Sequence, residues 1–464
     1  MRQELGRFFV LNEMDLLMGP IWFFLIIIFA ILIREITIQN QDIKKYFLPG
    51  LIVKLIGAIG VCLVYQFYYD PRNGGDTIGY YLTSNGMYKA FWQDPLAYLY
   101  LIFKPDIPKE EFLMQNYEFY YTYGKSMIYF FNFSAYYVSR LAGIVSLPAF
   151  NSFIAMSLLF SAISYIGVWH FYRVFIYYFP TLHKQLAIAI LFIPSVFFWG
   201  SGILKDTITF ASIGMITYNL FSIFIKRKNV LLNSIIFFYC AFLIVKIKAY
   251  ILFSYLPLSF FWLFPDTINN FTSNRFRFII KPLVYGLTFA MLPFSLTFLG
   301  QFNEKFSADN ILEFAKAHQT DLKQDVYYLG KQGSRFDIGY FDGSFSSFLE
   351  VAPQAIIATF FRPFLWEANN PVMLLAALES LWMTYLFINI FIKFGFKGFY
   401  LALIQNPFLQ FGFIYALAFG FFVGFTTPVF GSLVRYKIPA LPFFVSTLYA
   451  ITFYAQQNKL KNNP

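Results

Sequence analysis

The stretch Pro20-Ile-Trp-Phe-Phe-Leu-Ile-Ile-Ile-Phe-Ala-Ile-Leu-Ile33 carries no ionisable side chain and stops at Arg34-Glu35. An apolar run bounded by charge is what a bilayer interior selects, since a spanning helix needs roughly 17–25 predominantly apolar residues. An amphipathic stretch, residues 3–18, precedes the run, and no small-residue cleavage site follows Ile33, so a retained span is expected rather than a signal peptide. The pattern recurs near 50–69, 152–178, 185–200, 206–225, 230–247, 249–264, 282–299, 371–392, 401–425 and 436–454. The expected fold class is all-α, a polytopic transmembrane helix bundle of about 11 spans. No internal repeat or linker divides residues 1–464, which read as a single multispanning membrane domain.

Composition agrees. Of 464 residues 58% are hydrophobic and only 13% charged, against roughly 25% charged in a soluble domain. The 65 Phe and 34 Tyr exceed what interfacial belts alone would use. Two cysteines, Cys62 and Cys240, lie inside apolar runs and exclude a disulfide framework or a thiolate metal site. The three histidines, His170, His183 and His318, are too scattered for a metal cluster.

In a soluble chain the net charge of +11 would point to nucleic acid. Here topology explains it, and no nucleic-acid partner is expected. With the N-terminus outside, the segments 35–49, 180–184, 226–229, 265–281, 393–400 and the tail face the cytoplasm. Together with Arg34 they hold 14 Lys/Arg against Glu35, Asp42 and Asp266, a net +11. The much longer segments on the other side sum to −1. Positive charge concentrated in short loops on one side is the positive-inside pattern. It implies an integral membrane protein with its N-terminus outside and its C-terminus cytoplasmic.

Two long extracytoplasmic loops are expected, at 70–150 and 300–370, both carrying amphipathic helices. The first mixes aromatic runs with charges (Tyr117–Tyr123, Phe130–Phe133), as helices lying along a membrane surface do. The second places Ile311, Ala315, His318, Leu322 and Val326 on one helical stripe.

The residues that could carry chemistry gather at the extracytoplasmic ends of the spans. After the second span comes Asp70-Pro-Arg-Asn-Gly-Gly-Asp76-Thr-Ile-Gly-Tyr80-Tyr81. A tight turn accounts for its Pro, Asn and Gly. Alternatively, the glycines bring backbone close to a ligand, and Asp76 takes a proton from a hydroxyl nucleophile, with Tyr80 and Tyr81 in support. The segment Pro194-Ser195-Val-Phe-Phe-Trp199-Gly-Ser201-Gly-Ile-Leu-Lys205-Asp206 sets two charges in an apolar hairpin. Each charge at the bilayer centre costs about 2.5–3.5 kcal/mol on insertion scales. Either Lys205 and Asp206 pair and cap a helix, or Lys205 faces a cavity and binds an anion. Lys246 and Lys248 interrupt another apolar run, as snorkelling side chains or as a second cation pair.

Further along, Phe361-Arg362-Pro-Phe-Leu-Trp366-Glu367 offers Arg362 and Glu367 as an interfacial pair, with Trp366 suited to an aromatic belt and Glu379 inside the next span. Gly431-Ser-Leu-Val-Arg435-Tyr436-Lys437-Ile-Pro439 puts Arg435 at the outer mouth of the last span. Its guanidinium could anchor at the interface or grip a phosphate. Shared depth on one face favours a common cavity in which cations surround one carboxylate. Asp76 would then be catalytic, and Lys205, Lys246, Lys248, Arg362 and Arg435 would bind phosphate. Asp206, Tyr80, Tyr81, Trp199, Glu367 and Tyr436 would support them. In Ser334-Arg-Phe-Asp337-Ile-Gly-Tyr340-Phe-Asp342-Gly-Ser344, Asp337 and Asp342 could ligate a divalent cation, although the spacing matches no calcium loop. No metal or other cofactor is required by the rest of the pattern.

In layout the chain resembles the GT-C superfamily of multispanning glycosyltransferases. Span 50–69 followed by Asp76-Thr-Ile-Gly-Tyr80 resembles their first extracytoplasmic loop, which opens with a catalytic acid. The Pro194-Ser195…Trp199…Lys205-Asp206 and Arg435-Tyr436…Pro439 segments look like features of bacterial membrane glycan transferases and O-antigen-polymerase type proteins. The resemblance implies that Asp76 activates an acceptor and that the cations hold a polyprenyl phosphate or diphosphate carrier. Membrane lipid and a polyprenyl-linked glycan would be the partners. A transporter or flippase for a lipid-linked glycan, and a non-catalytic membrane subunit that binds protein partners in a secretion or assembly complex, are the competing classes. The topology is tested first. A reporter fused ahead of Met1 that works only outside the cytoplasm is expected to be active, and the same reporter after Pro464 inactive. A cytoplasmic N-terminus overturns the assignment.

Overall fold

The computed structural model describes residues 10–69, 75–271, 286, 336–339, 345–427 and 429–462, and these are the residues discussed below. They form helices and turns with no strand among them. Among the described residues seven helices are long and apolar enough to cross a membrane, or eight if one bent pair counts as a span. The protein is thus an all-helical, integral membrane protein.

The first span, α1 (Glu13–Thr37), starts earlier than the apolar run alone implies. Asn12 caps it, and the side chain of Asp15 accepts from the Asn12 amide at 2.8 Å, closing a capping box. Residues 13–18 of the amphipathic stretch therefore belong to the span. At 1.5 Å per residue its 25 residues reach about 38 Å, beyond the ~30 Å of hydrocarbon. Its Leu16, Phe24 and Ile28 are exposed, as a lipid-facing surface requires. Next come α2 (Gln41–Leu63), prolonged by a π-helical turn Val64–Tyr68, and four shorter helices, α3 (Gly75–Gln93), α4 (Pro95–Phe103), α5 (Lys109–Phe119) and α6 (Phe133–Ser146). The span α7 (Phe153–Tyr178) agrees with the expected 152–178.

The expected span 185–200 is two short helices, α8 (His183–Leu191) and α9 (Pro194–Trp199), because Pro194 cannot continue the hydrogen-bond ladder of α8. After the turn at Gly200–Leu204 comes α10 (Lys205–Leu220), extended by a π-helical turn to Lys226. The expected pair 230–247 and 249–264 is α11 (Val230–Phe271), two helical stretches that meet at a kink at Lys248, where φ is −148° and ψ 70°. The remaining elements are α12 (Phe345–Phe361), α13 (Pro371–Leu403) with a break at Gly395, α14 (Pro407–Thr426), α15 (Phe430–Tyr436) and α16 (Leu441–Asn462). The last two meet at 68° and are the bent pair. The expected span 282–299, the stripe Ile311–Val326 and the turn Asp70–Gly74 lie outside the described residues.

The chain organises into two compact units. Unit 1 comprises 1–170, 197–215 and 239–248, and unit 2 comprises 171–196, 216–238 and 249–464. In unit 1, α3 to α6 pack into a small bundle with its own core of Met87, Tyr98, Leu101, Phe112, Phe130 and Tyr136. Phe130 was expected along the membrane surface; it is 2% exposed in that core. Asp15 ties α1 to the start of α7, accepting from Ser152 Oγ at 2.7 Å and the Ile154 amide at 2.9 Å. In unit 2 the abundant phenylalanines build the interior. Phe444 of α16 lies 4.2 Å from the Phe360 ring of α12 and near Phe361, Phe387 and Phe413.

Small residues set how closely the spans approach, as in other membrane bundles. A Cβ on Gly167 of α7 would stand 2.2 Å from the Ala211 carbonyl oxygen of α10, and one on Gly57 of α2 2.5 Å from that of Phe197. Neither clash can be relieved by rotating a side chain. Gly167→Ala is expected to force α7 and α10 apart and to cost about 1–3 kcal/mol. A fall in the thermal midpoint of the purified protein in detergent checks this.

Candidate functional site

Unit 1 holds Asp76, Lys205, Lys246 and Lys248 of the expected site, together with Asp206, Tyr80, Tyr81 and Trp199. Unit 2 holds Arg362, Glu367, Arg435 and Tyr436.

In unit 1 the segment Tyr129–Arg140 is the seat of the arrangement. Gly75, at φ +64°, starts α3 and places Asp76 in its first turn, where a carboxylate suits the helix dipole. Tyr80 is buried one turn on, its ring 5.1 Å from that of Tyr129. Burial, and then the negative charge of Asp76, push the Tyr129 hydroxyl up to about 12, so Asp76 and Tyr129 share one electrostatic neighbourhood. Five residues along, Ser134 Oγ accepts from Lys205 Nζ at 2.8 Å. Tyr137 donates to Asp106 at 3.2 Å, and Arg140 stands 3.7 Å from the same carboxylate. Lys246 Nζ closes the group at 2.8 Å from Asp106.

Lys248, at the break in α11, pairs with Asp206. Asp206 is 2% exposed and adjoins Lys205, so both lysines act at the first turn of α10. The turn before it is fixed from within α2, where buried Lys54 donates to the Gly200 carbonyl, and Gly202 donates to Ser161 Oγ at 2.9 Å. Trp199 packs edge-on to Tyr65 at 6.5 Å. Tyr81 points elsewhere and donates to the Asn151 carbonyl at 3.0 Å, holding α3 to the start of α7.

Several cations were expected around one acid, and unit 1 is built differently. Lys246 and Lys248 each come with a carboxylate, Asp106 and Asp206. Asp106, Arg140 and Lys104 were missed from the sequence, where Lys104-Pro-Asp106 reads as an ordinary turn. Lys104 is 1% exposed, its Nζ 4.9 Å from the ring centres of Phe112 and Phe130 and 5.2 Å from that of Tyr136. Attraction to ring faces replaces part of its hydration.

In unit 2, Arg362 grips Glu367, its Nε 3.1 Å from both carboxylate oxygens, while the rings of Phe336 and Phe430 stack with each other at 4.8 Å and flank the guanidinium. Burial opposes ionisation of Glu367, but the bonds from Arg362 and the Phe364 amide together outweigh it and hold the carboxyl below its ordinary value. The paired reading of Arg362 and Glu367 thus describes what the structure contains. Arg435 and Tyr436 close the short helix α15. Glu379, buried in α13, accepts from the Ser195 amide at 2.8 Å and from its hydroxyl at 2.7 Å. Buried Lys437 has no hydrogen-bond partner among the described residues.

Among the described residues no group of three or more His, Cys, Asp or Glu could hold a metal. Asp337 is exposed, its Oδ1 accepting from the Gly339 amide at 2.9 Å, and Asp342 lies outside the described residues. Comparison with protein-family models, with curated proteins and with solved structures finds no match.

Burial, then the charge of Arg140, push the Lys104 amine down to about 8 from an ordinary 10.5, with Asp106 opposing. Between those values the folded chain binds fewer protons than the unfolded chain, so this group makes stability rise with pH across that window. Below it the folded state carries the full penalty of a buried ammonium. Lys104→Met is expected to be more stable than the parent at pH 7 and to lose the rise between about pH 8 and 10.5. Unfolding midpoints across that range check both.

Proposed function

We propose that the protein is a membrane glycosyltransferase that moves a sugar or oligosaccharide from a polyprenyl phosphate or diphosphate carrier to an extracytoplasmic acceptor, and so builds a cell-envelope polysaccharide. The observation that carries this reading is that one segment, Tyr129–Arg140, joins the neighbourhood of Asp76 to Lys205, Asp106 and Lys246. Asp76 would be the base on the acceptor hydroxyl. Lys205, in the first turn of α10, and Lys248, at the break in α11, would stabilise charge developing on the departing phosphate. Asp206 would hold Lys248 in place and Tyr80 would shape the wall beside Asp76. The reading rests on unit 1 and includes the finer topology, about eleven crossings in a bacterial inner membrane with the N-terminus outside. The layout shared with GT-C enzymes supports it by analogy.

The test is transfer of labelled sugar from a polyprenyl-linked donor in isolated membranes. Asp76→Asn is expected to lower kcat by about 10²–10⁴-fold, the usual worth of a general base. Lys205→Met is expected to slow the same step. Unchanged transfer with Asp76→Asn removes the assignment.

One observation favours a second reading, transport or flipping of a lipid-linked glycan. Glu379 is buried within α13, and Lys437 is buried where α15 and α16 meet at 68°. Ionisable groups beside broken helices are where transporters place their substrate or ion sites. On that reading Asp76→Asn leaves glycan movement intact, while Glu379→Gln abolishes it.

A further inference from the structure

The small bundle of unit 1 has an outer face that its core does not use. In α4 the side chains of Ala97, Tyr98, Leu101 and Ile102 are buried in the bundle, which accounts for one side of the helix. On the other side Leu96 is 76%, Leu99 50% and Phe103 77% exposed, and Trp92, just before the helix, 68%. These positions fall at i, i+3 and i+7 along one stripe. A helix apolar all round is covered on both sides, and single exposed residues are ordinary whereas a continuous ridge is not.

Position in the chain says what covers it. The bundle lies between a span that ends at Tyr68 and one that starts at Phe153. Residues at those ends are themselves exposed and apolar, with Phe67 at 64% and Phe150 at 52%. The bundle is therefore tethered at a membrane surface at both its ends, and lipid is the occupant always present there. Nine residues of helix reach roughly 13 Å, less than half of the hydrocarbon thickness, so α4 enters without crossing. Its start is polar: Asp94 caps it by accepting from the Leu96 amide at 3.0 Å.

We infer that α4 is a non-spanning, membrane-inserted helix whose Leu96–Leu99–Phe103 ridge lies against the acyl chains of one leaflet, with Trp92 at the headgroup boundary. The inference depends on membrane residence alone and not on the proposed reaction. It sets the depth of the ionic group as well. Asp106 begins three residues after Phe103, so the Asp106–Arg140–Lys246 cluster lies level with lipid phosphates, where Lys and Arg at an interface are favoured.

Nitroxide labels read the environment directly. Cys62 and Cys240 are buried, so the unsubstituted chain supplies the background. Leu99→Cys and Phe103→Cys, each at an exposed site, would be labelled and reconstituted in phosphatidylethanolamine–phosphatidylglycerol vesicles, with Glu110→Cys on exposed α5 as the aqueous reference. Collision with molecular oxygen is expected to exceed collision with a nickel chelate several-fold at Leu99 and Phe103, and the order to reverse at Glu110. Nickel accessibility equal to that at Glu110 means the ridge faces water and overturns the proposal. Protection from both probes means that protein covers it, and overturns it as well. Quenching of Trp92 by brominated acyl chains, taken as the difference from Trp92→Phe, needs no label. No difference there counts against the proposal.

Discussion

The ion pair between Lys248 and Asp206 joins two departures from regular helix in a chain that is otherwise short of charge. One is the break in α11 at Lys248, and the other is the turn that leads into α10. Taking either charge out of water alone is costly, and removing one partner of such a pair leaves an uncompensated charge worth about 3–5 kcal/mol. The pair therefore specifies where α11 may break and how α10 must begin. Lys205 is placed by the same turn, one residue before Asp206, and from there reaches Ser134. Lys54 completes the constraint by holding the Gly200 carbonyl, a backbone acceptor that no helix satisfies. Irregular backbone inside a membrane protein is tolerated only where other groups satisfy it, and here two lysines and an aspartate do so.

Much of the architecture was legible because a lipid environment leaves few options. The apolar runs at 152–178 and 206–225 became helices with almost the same ends, while in 401–425 the helix starts only at Pro407, after α13 has ended at Leu403. Failures fell where composition was uniform and only tertiary contacts decide. Residues 185–200 look like a span, yet Pro194 divides them into two short helices and Glu379, far away in sequence, caps the second. Residues 230–264, by contrast, divide where the charged interruption says, at Lys248, by a kink without a loop. The start of α1 was misplaced because Asp15, which reads as a surface charge, is 2% exposed and bonded to Ser152 and Ile154.

The candidate site was legible as a list of cations and illegible as a set of pairs. Lys205, Lys246 and Lys248 stand out because a cation in an apolar run is conspicuous. Asp106 does not stand out, since acids in loops are common, and its role depends on α6 and α11 arriving at the same place. Arg140 sits in the amphipathic pattern of α6 and reads as a surface residue, yet it lies over the rings of Tyr136 and Tyr137. The phenylalanine excess, beyond what interfacial belts would use, builds much of the core. Sequence pattern reports the solvent a helix meets; it is weaker on which neighbour a side chain meets.

The bond from Ser195 to Glu379 spans 184 residues, and that separation bears on biogenesis. Helices α8 and α9, of nine and six residues, are too short to cross a bilayer when they leave the ribosome. The carboxylate that caps α9 arrives only with α13, 184 residues later in synthesis. Until then the two short helices must wait in the insertion machinery or at the membrane surface with the backbone amide at Ser195 uncapped. Insertion of this region is therefore completed from the C-terminal side, and the order of assembly differs from the order of synthesis.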